Sequence, residues 1–128
     1  MSKIVFDASA LIALFAKETG YEFIKKHMKE GIISSVNIAE AYKYCIETQG
    51  LTEDEAKNLI KLSDIKIIEF TNEQALISAG LIKKTKQYGL SLGDRACIAL
   101  AIDGKHSIIT CDKIWQQIDV GIKFIMAR

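Results

Sequence analysis

Short apolar runs alternate with helical patterns along this chain, and the first alternation frames the rest. Ile4-Val5-Phe6 is β-branched or aromatic, unbroken by polar residues and too brief for a helix, as expected of a parallel strand covered on both faces. Asp7 follows, and Ala8 to Ala16 continues as a helix. Tyr21 to Met28 reads as another, with Tyr21, Phe23, Ile24 and Met28 apolar against a face of Lys25, Lys26 and Lys29. Gly31 turns the chain into Ile32-Ile33-Ser34, a second short strand. Ser35 is placed to cap a helix through Val36, Ile38, Ala39, Tyr42 and Ile46, which Gly50 ends in the C′ position.

Thr52 with Glu55 spells a capping box for a helix whose Ala56, Leu59, Ile60 and Leu62 face the core. Ile65 to Phe70 predicts a third strand, and its Lys66 and Glu69 mark it as an edge, since charges blunt exposed edges. Thr71 with Gln74 opens a helix carrying Ala75, Leu76, Ala79, Leu81 and Ile82, followed by the basic cluster Lys83, Lys84, Lys86 and a break at Gly89. Ser91 begins a helix that is apolar all round from Ala96 to Ile102, the mark of a buried helix, and Gly104 stops it. Ser107 to Thr110 predicts a fourth strand, Asp112 to Gln117 a short helix and Ile122 to Ile125 a fifth strand. Alternation without a hairpin signal predicts an α/β fold, a parallel five-stranded sheet flanked by helices. With no proline and no low-complexity tract, residues 1–128 are expected to form one domain.

Composition narrows the function classes. Lys and Arg total 17 against 16 for Asp and Glu, so the chain lacks the global basic charge of many nucleic-acid binders, and any site for a polyanion must be local. Cys45, Cys97 and Cys111 are odd in number, widely spaced and set in apolar sequence, which predicts buried, reduced thiols rather than zinc or redox pairs. Asp7 splits the only stretch that mimics a signal peptide, and no apolar run reaches membrane-spanning length. A soluble, cytoplasmic protein is expected.

The acids then stand out by position. Asp7 follows the first strand and Asp112 the fourth, so both should lie at the C-terminal edge of one sheet, where ligands of α/β folds gather. Glu40 lies about one turn into the helix after the second strand, past the range of a cap, between Ala39 and Ala41. Asp94 begins the most buried helix. Three have a structural alternative: Asp7 and Asp112 as helix caps, Asp94 as part of the box Ser91-Leu92-Gly93-Asp94. Four carboxylates in one pocket would repel each other and resist ionisation unless a cation were bound. With no His or Cys among them, an all-oxygen site favours Mg²⁺ or Mn²⁺ over zinc.

Asp7-Ala8-Ser9-Ala10-Leu11-Ile12, Ser35 with Glu40, Leu92-Gly93-Asp94 and Thr110-Cys111-Asp112, in this order and over the whole chain, resemble a PIN domain. Within that family the chain is most similar to the VapC-type toxins of prokaryotic toxin–antitoxin pairs. The resemblance implies the sheet order 3-2-1-4-5, with the third and fifth strands as edges, which suits Lys66, Glu69 and Lys123. It implies an RNA-cleaving site in which Asp7, Glu40, Asp94 and Asp112 serve Mg²⁺ or Mn²⁺, with Ser9 and Thr110 as their polar partners. Asp7 and Asp94 are then expected to ligate directly, and Glu40 and Asp112 to act through metal-bound water. It also implies an RNA substrate, a cognate antitoxin protein and a homodimer. Arg95 and the cluster Lys83, Lys84, Lys86 are candidates for RNA phosphates, against the simpler reading of solvated surface.

Other features add less. His27 and His106 lack partners at metal or triad spacing and read as surface residues near element ends, while Tyr21, Tyr42, Tyr44 and Trp115 read as core or interface. No Gly-rich phosphate loop follows the first strand. Some of Leu14, Phe15, Tyr21, Tyr44 and Leu59 are expected to stay exposed as an apolar patch for a partner, against the simpler reading that they complete the core. Two other classes remain open: a phosphoacceptor signalling domain, for which Phe6-Asp7-Ala8 supplies one acid where a pair is expected, and a catalytically silent binding module on the same fold.

Overall fold

The computed structural model describes residues 3–128. Five strands, β1 (Ile4–Phe6), β2 (Gly31–Ser34), β3 (Lys66–Ile68), β4 (Ser107–Thr110) and β5 (Phe124–Met126), form one sheet in the order β3-β2-β1-β4-β5. Every pairing is parallel, as the alternation predicts. The helices are α1 (Ala8–Ala16), α2 (Tyr21–Lys26), α3 (Ser35–Lys43), α4 (Glu53–Ser63), α5 (Asn72–Gly80), α6 (Ile82–Thr85) and α7 (Leu92–Gly104). A π-helical segment, Tyr44–Thr48, extends α3, and 3-10 turns span Met28–Glu30, Lys86–Tyr88 and Lys113–Gln117.

Adjacent strand residues point to opposite faces, and each inner strand carries two consecutive large apolar residues to serve both. Phe6, Ile33 and Ile109 pack on one side with Leu11 of α1, Ile24 of α2, Ile38 of α3 and Ile60 of α4. Val5, Ile32 and Ile108 pack on the other with Cys97, Ile98 and Leu100 of α7, together with Trp115. Burying such a side chain stabilises the fold by roughly 1.5–3 kcal/mol each, so the central strands anchor both layers despite their length. Helix α7 is buried along Ala96 to Ala101, matching its apolar run.

The differences from expectation have local causes. Ser34, not Ser35, caps α3 by accepting from the Val36 N–H at 3.2 Å, while Ser35 Oγ accepts from the Phe70 N–H at 3.1 Å and ties down the chain after β3. Strand β3 is shorter than the run Ile65 to Phe70 because it pairs on one side only, with Ile32 to Ser34. Strand β5 starts later than Ile122, in register with Ile108 to Thr110, and the Ala127 N–H still donates to the Thr110 carbonyl at 2.9 Å. Gly104 remains helical; Lys105, at φ 58°, makes the left-handed C-cap. A Cβ at Gly104 would fall 2.2 Å from His106 Nε2, so the glycine seats that ring. The box Thr52/Glu55 forms as expected, and Thr71 caps α5 through the Gln74 N–H. The three cysteines are free and buried. Among the described residues, no helix is long and apolar enough to cross a membrane.

Candidate active site

Asp7 leaves β1 at its C-terminal end and is only 5% exposed. It is the cap of α1: Oδ1 accepts from the Ala10 N–H at 2.9 Å and from Ser9 Oγ at 2.7 Å. Oδ2 accepts from Thr110 Oγ1, the last residue of β4. A carboxylate offers about four lone-pair sites, so one on Oδ2 stays open. Capping and a further ligand are therefore compatible.

Ser9 and Thr110 stitch the two strand ends together. Thr110 Oγ1 accepts from the Asp112 N–H at 3.0 Å, and Ser9 Oγ accepts from the Cys111 N–H at 3.1 Å. Burial pushes the Asp7 carboxyl up to about 6; the hydrogen bonds from Thr110, Ser9 and Ala10 oppose this, and the Asp94 charge adds to it. Among the described residues the one ion pair is Arg128 with Glu18, so no Lys or Arg offsets Asp7.

Asp94 sits in the first turn of α7, where its Oδ2 accepts from the Ser91 N–H at 3.0 Å and its own N–H donates to Ser91 Oγ. The capping box is real, and the Asp94 charge is near enough to add a little to the rise of the Asp7 carboxyl. Glu40 is exposed on α3, and its carboxylate lies against Gly93, where a Cβ would come within 2.7 Å of Oε1. Beneath these groups lies the Cys97 thiol, which burial pushes well up, with Asp7, Asp94 and Glu40 adding to the effect in that order. Three carboxylates from three elements thus act on one buried point.

Asp112 is placed differently. It is exposed, and its Oδ1 caps the 3-10 turn by accepting from the Ile114 N–H at 3.1 Å; its backbone alone is tied to Thr110.

The sequence reading passed over Asn37. Buried at 1% exposure, it donates through Nδ2 to Glu40 Oε1 at 2.9 Å and to the Gly93 carbonyl at 3.0 Å, while its Oδ1 has no partner. The available signal was its position one turn before Glu40 on the same helical face. Arg95 folds back, Nη1 donating to the Leu90 carbonyl at 2.9 Å, with Nε buried and unpartnered. Lys83, Lys84 and Lys86 are exposed. Trp115 is fully buried, Tyr21, Tyr42 and Tyr44 are half-buried, and His27 and His106 are half-buried rather than surface residues.

The donor set suits a hard cation: all oxygen, excess negative charge, and an open lone pair on its most buried member. Among the described residues, no three His, Cys, Asp or Glu side chains lie close enough together to hold one metal ion. The donors therefore fit a cation held by one or two carboxylates that keeps several waters, the usual state of Mg²⁺.

The parallel sheet in the order β3-β2-β1-β4-β5, flanked by helices, is an α/β fold of the PIN type, and the family model for the PIN domain matches residues 4–121. The chain belongs to the PIN domain family. In fold it is similar to solved VapBC toxin–antitoxin proteins. A chain of a toxin–antitoxin complex from Klebsiella pneumoniae aligns at 22% identity and TM-score 0.71, over 98% of each chain. One from DNA-bound VapBC of Salmonella typhimurium aligns at 14% and 0.76, over 100% of each. The sarcin-ricin loop cleaving toxin VapC20 of Mycobacterium tuberculosis aligns at 15% and 0.71, over 94% of this chain and 99% of that one. No curated protein matches at significant sequence similarity.

Proposed function

We propose that this chain is a Mg²⁺- or Mn²⁺-dependent endoribonuclease, the toxin of a VapBC-type toxin–antitoxin pair. The observation that carries the reading is Asp7: a carboxylate 5% exposed at the sheet edge, held by three donors and offset by no Lys or Arg among the described residues. Membership of the PIN family and the folds of the toxins above support it.

Asp7 and Asp94 are the direct ligands in this proposal. A bound cation would neutralise the scissile phosphate and acidify a coordinated water. The residues do the rest. Ser9, Thr110 and the Ala10 N–H hold Asp7 in one orientation, so the site is assembled before substrate arrives. Glu40, exposed and steered by Asn37, is available to orient the attacking water and accept its proton. Asp112, which is exposed, would reach a bound cation only through water.

The test is RNA cleavage with Mn²⁺ and with excess chelator, for wild type and Asp94→Asn. Cleavage should require the metal and vanish in the variant while the circular dichroism spectrum is unchanged. Full activity in chelator would point to a different ribonuclease chemistry.

The antitoxin and homodimer belong to the same proposal, and their surface is not the one expected. Leu14, Phe15, Tyr21, Tyr44 and Leu59 are all half-buried, whereas Phe23, Ile46 and Leu62 are exposed, Leu62 at 83%. Tyr42 and Ile46, with Glu53, Asp54 and Lys57 of α4, line a cavity of about 390 Å³ beside the π-helical segment. A partner segment that pairs apolar with charged side chains fits such a surface. Expression alone should arrest growth, and co-expression with the neighbouring gene should yield a stable, inactive complex.

A catalytically silent binding module is the second reading, favoured by the spread of the acids beyond common reach of one ion among the described residues. RNA binding without cleavage at any Mn²⁺ concentration would select it.

A further inference from the structure

At the opposite end of the sheet from Asp7, where β4 begins and β5 is about to begin, a cavity of about 300 Å³ opens beside the C-terminus of α7. Lys105, His106, Ser107 and Lys123 line it together with Ile102 and Ile122, and no Asp or Glu does. This is a local concentration of cations in a chain whose net charge is only +1. Neither lysine is in an ion pair; among the described residues that is confined to Arg128 and Glu18. His106 Nδ1 is buried without a partner, and the His106 ring is seated over Gly104, where a side chain would displace it. Burial, and after it the charge of Lys3 before β1, holds the His106 ring below its ordinary 6.5. The wall is thus half basic and half apolar. Its volume stands at the small end of the roughly 300–1,000 Å³ of small-molecule sites.

We propose that this cavity binds a small phosphate-bearing ligand, its phosphate against Lys105, Lys123 and the Ser107 hydroxyl and its apolar part against Ile102 and Ile122. Two flexible ammonium groups and a hydroxyl suit a phosphate as point charges and donors. The apolar wall gives a nucleoside-sized body a place that free phosphate would not use. A cavity of about 300 Å³ has room for one nucleotide and not for several. The site is independent of the carboxylates and of the ribonuclease proposal.

The experiment titrates the isotopically labelled full chain with inorganic phosphate and, separately, with adenosine 5′-monophosphate at constant ionic strength. It follows the His106 ring and the Ile102 and Ile122 amides by NMR. Saturable shifts at these residues are expected, with the His106 pKa rising because a bound anion offsets Lys3. Lys105→Gln and Lys123→Gln should each weaken binding roughly tenfold, the size of one lost charge-assisted hydrogen bond, while Lys86→Gln, which removes the same charge elsewhere, should not. Tighter binding of the nucleotide than of inorganic phosphate supports the site, and equal binding overturns it, because the apolar wall would then contribute nothing. Shifts that never saturate, that survive both cavity substitutions, or that appear only with an oligonucleotide overturn it.

Discussion

Replacing Asp7 by Asn should make the metal-free protein more stable, although it removes the centre of the proposed site. A carboxyl displaced from 3.8 to about 6 prefers its neutral form by about 3 kcal/mol in the folded state. Because the folded value is the higher one, the stabilising contribution is complete below about pH 4 and is lost as the pH rises through about 6. Asn carries no charge to desolvate and keeps an oxygen for the Ala10 N–H and Ser9. Its amide meets Thr110 Oγ1, whose hydroxyl must then turn away from its present acceptor, at a cost of about 1 kcal/mol. The expected net gain is about 2 kcal/mol at about pH 8, turning into a deficit of up to about 1 kcal/mol below about pH 4. Urea unfolding across that range, in excess chelator, measures it. With Mg²⁺ at about a hundred times its dissociation constant the wild type alone should gain about 2.7 kcal/mol, closing or reversing the gap. A variant less stable than wild type at about pH 8 in chelator, or a difference that does not change with pH, would refute the electrostatic account of Asp7.

Three further outcomes follow from neighbouring contacts. Gly93→Ala places a methyl where Glu40 Oε1 would be 2.7 Å away, so cleavage should fall at least about tenfold while stability stays within about 1 kcal/mol, as judged by single-turnover assay and urea unfolding. Asn37→Ala releases Glu40 and removes the side-chain tie from α3 to the Gly93 carbonyl of α7, and should cost about 1 kcal/mol in urea unfolding together with a loss of cleavage. His106, held below 6.5 mainly by burial, contributes stability above that pH that is lost as the pH falls through its lowered folded value; thermal unfolding of His106→Gln should lose less stability than wild type on acidification.

The sequence by itself determined the alternation of elements, the parallel sheet and the burial of α7, because these follow from short-range periodicity. Consecutive large apolar residues at Val5-Phe6, Ile32-Ile33 and Ile108-Ile109 announce strands covered on both faces, and each pair does divide between the two cores. It also placed Asp7 and Asp112 after strands and Asp94 at the start of α7, since caps and strand ends are local features. Strand boundaries were less legible: β3 and β5 stop where their single neighbour stops, and that is decided across the sheet rather than along the chain.

Only the tertiary structure decided the surroundings of the acids. Asn37 reaches Gly93 across 56 residues and Ser9 reaches the Cys111 N–H across 102, distances over which no periodicity carries information. The same holds for the basic cavity, where Lys105 and Lys123 are separated by the whole of β4 and a 3-10 turn. Local patterns arise from backbone geometry repeated every two or 3.6 residues, whereas a site arises from side chains that the packing of α1, α3 and α7 around two strand ends brings together.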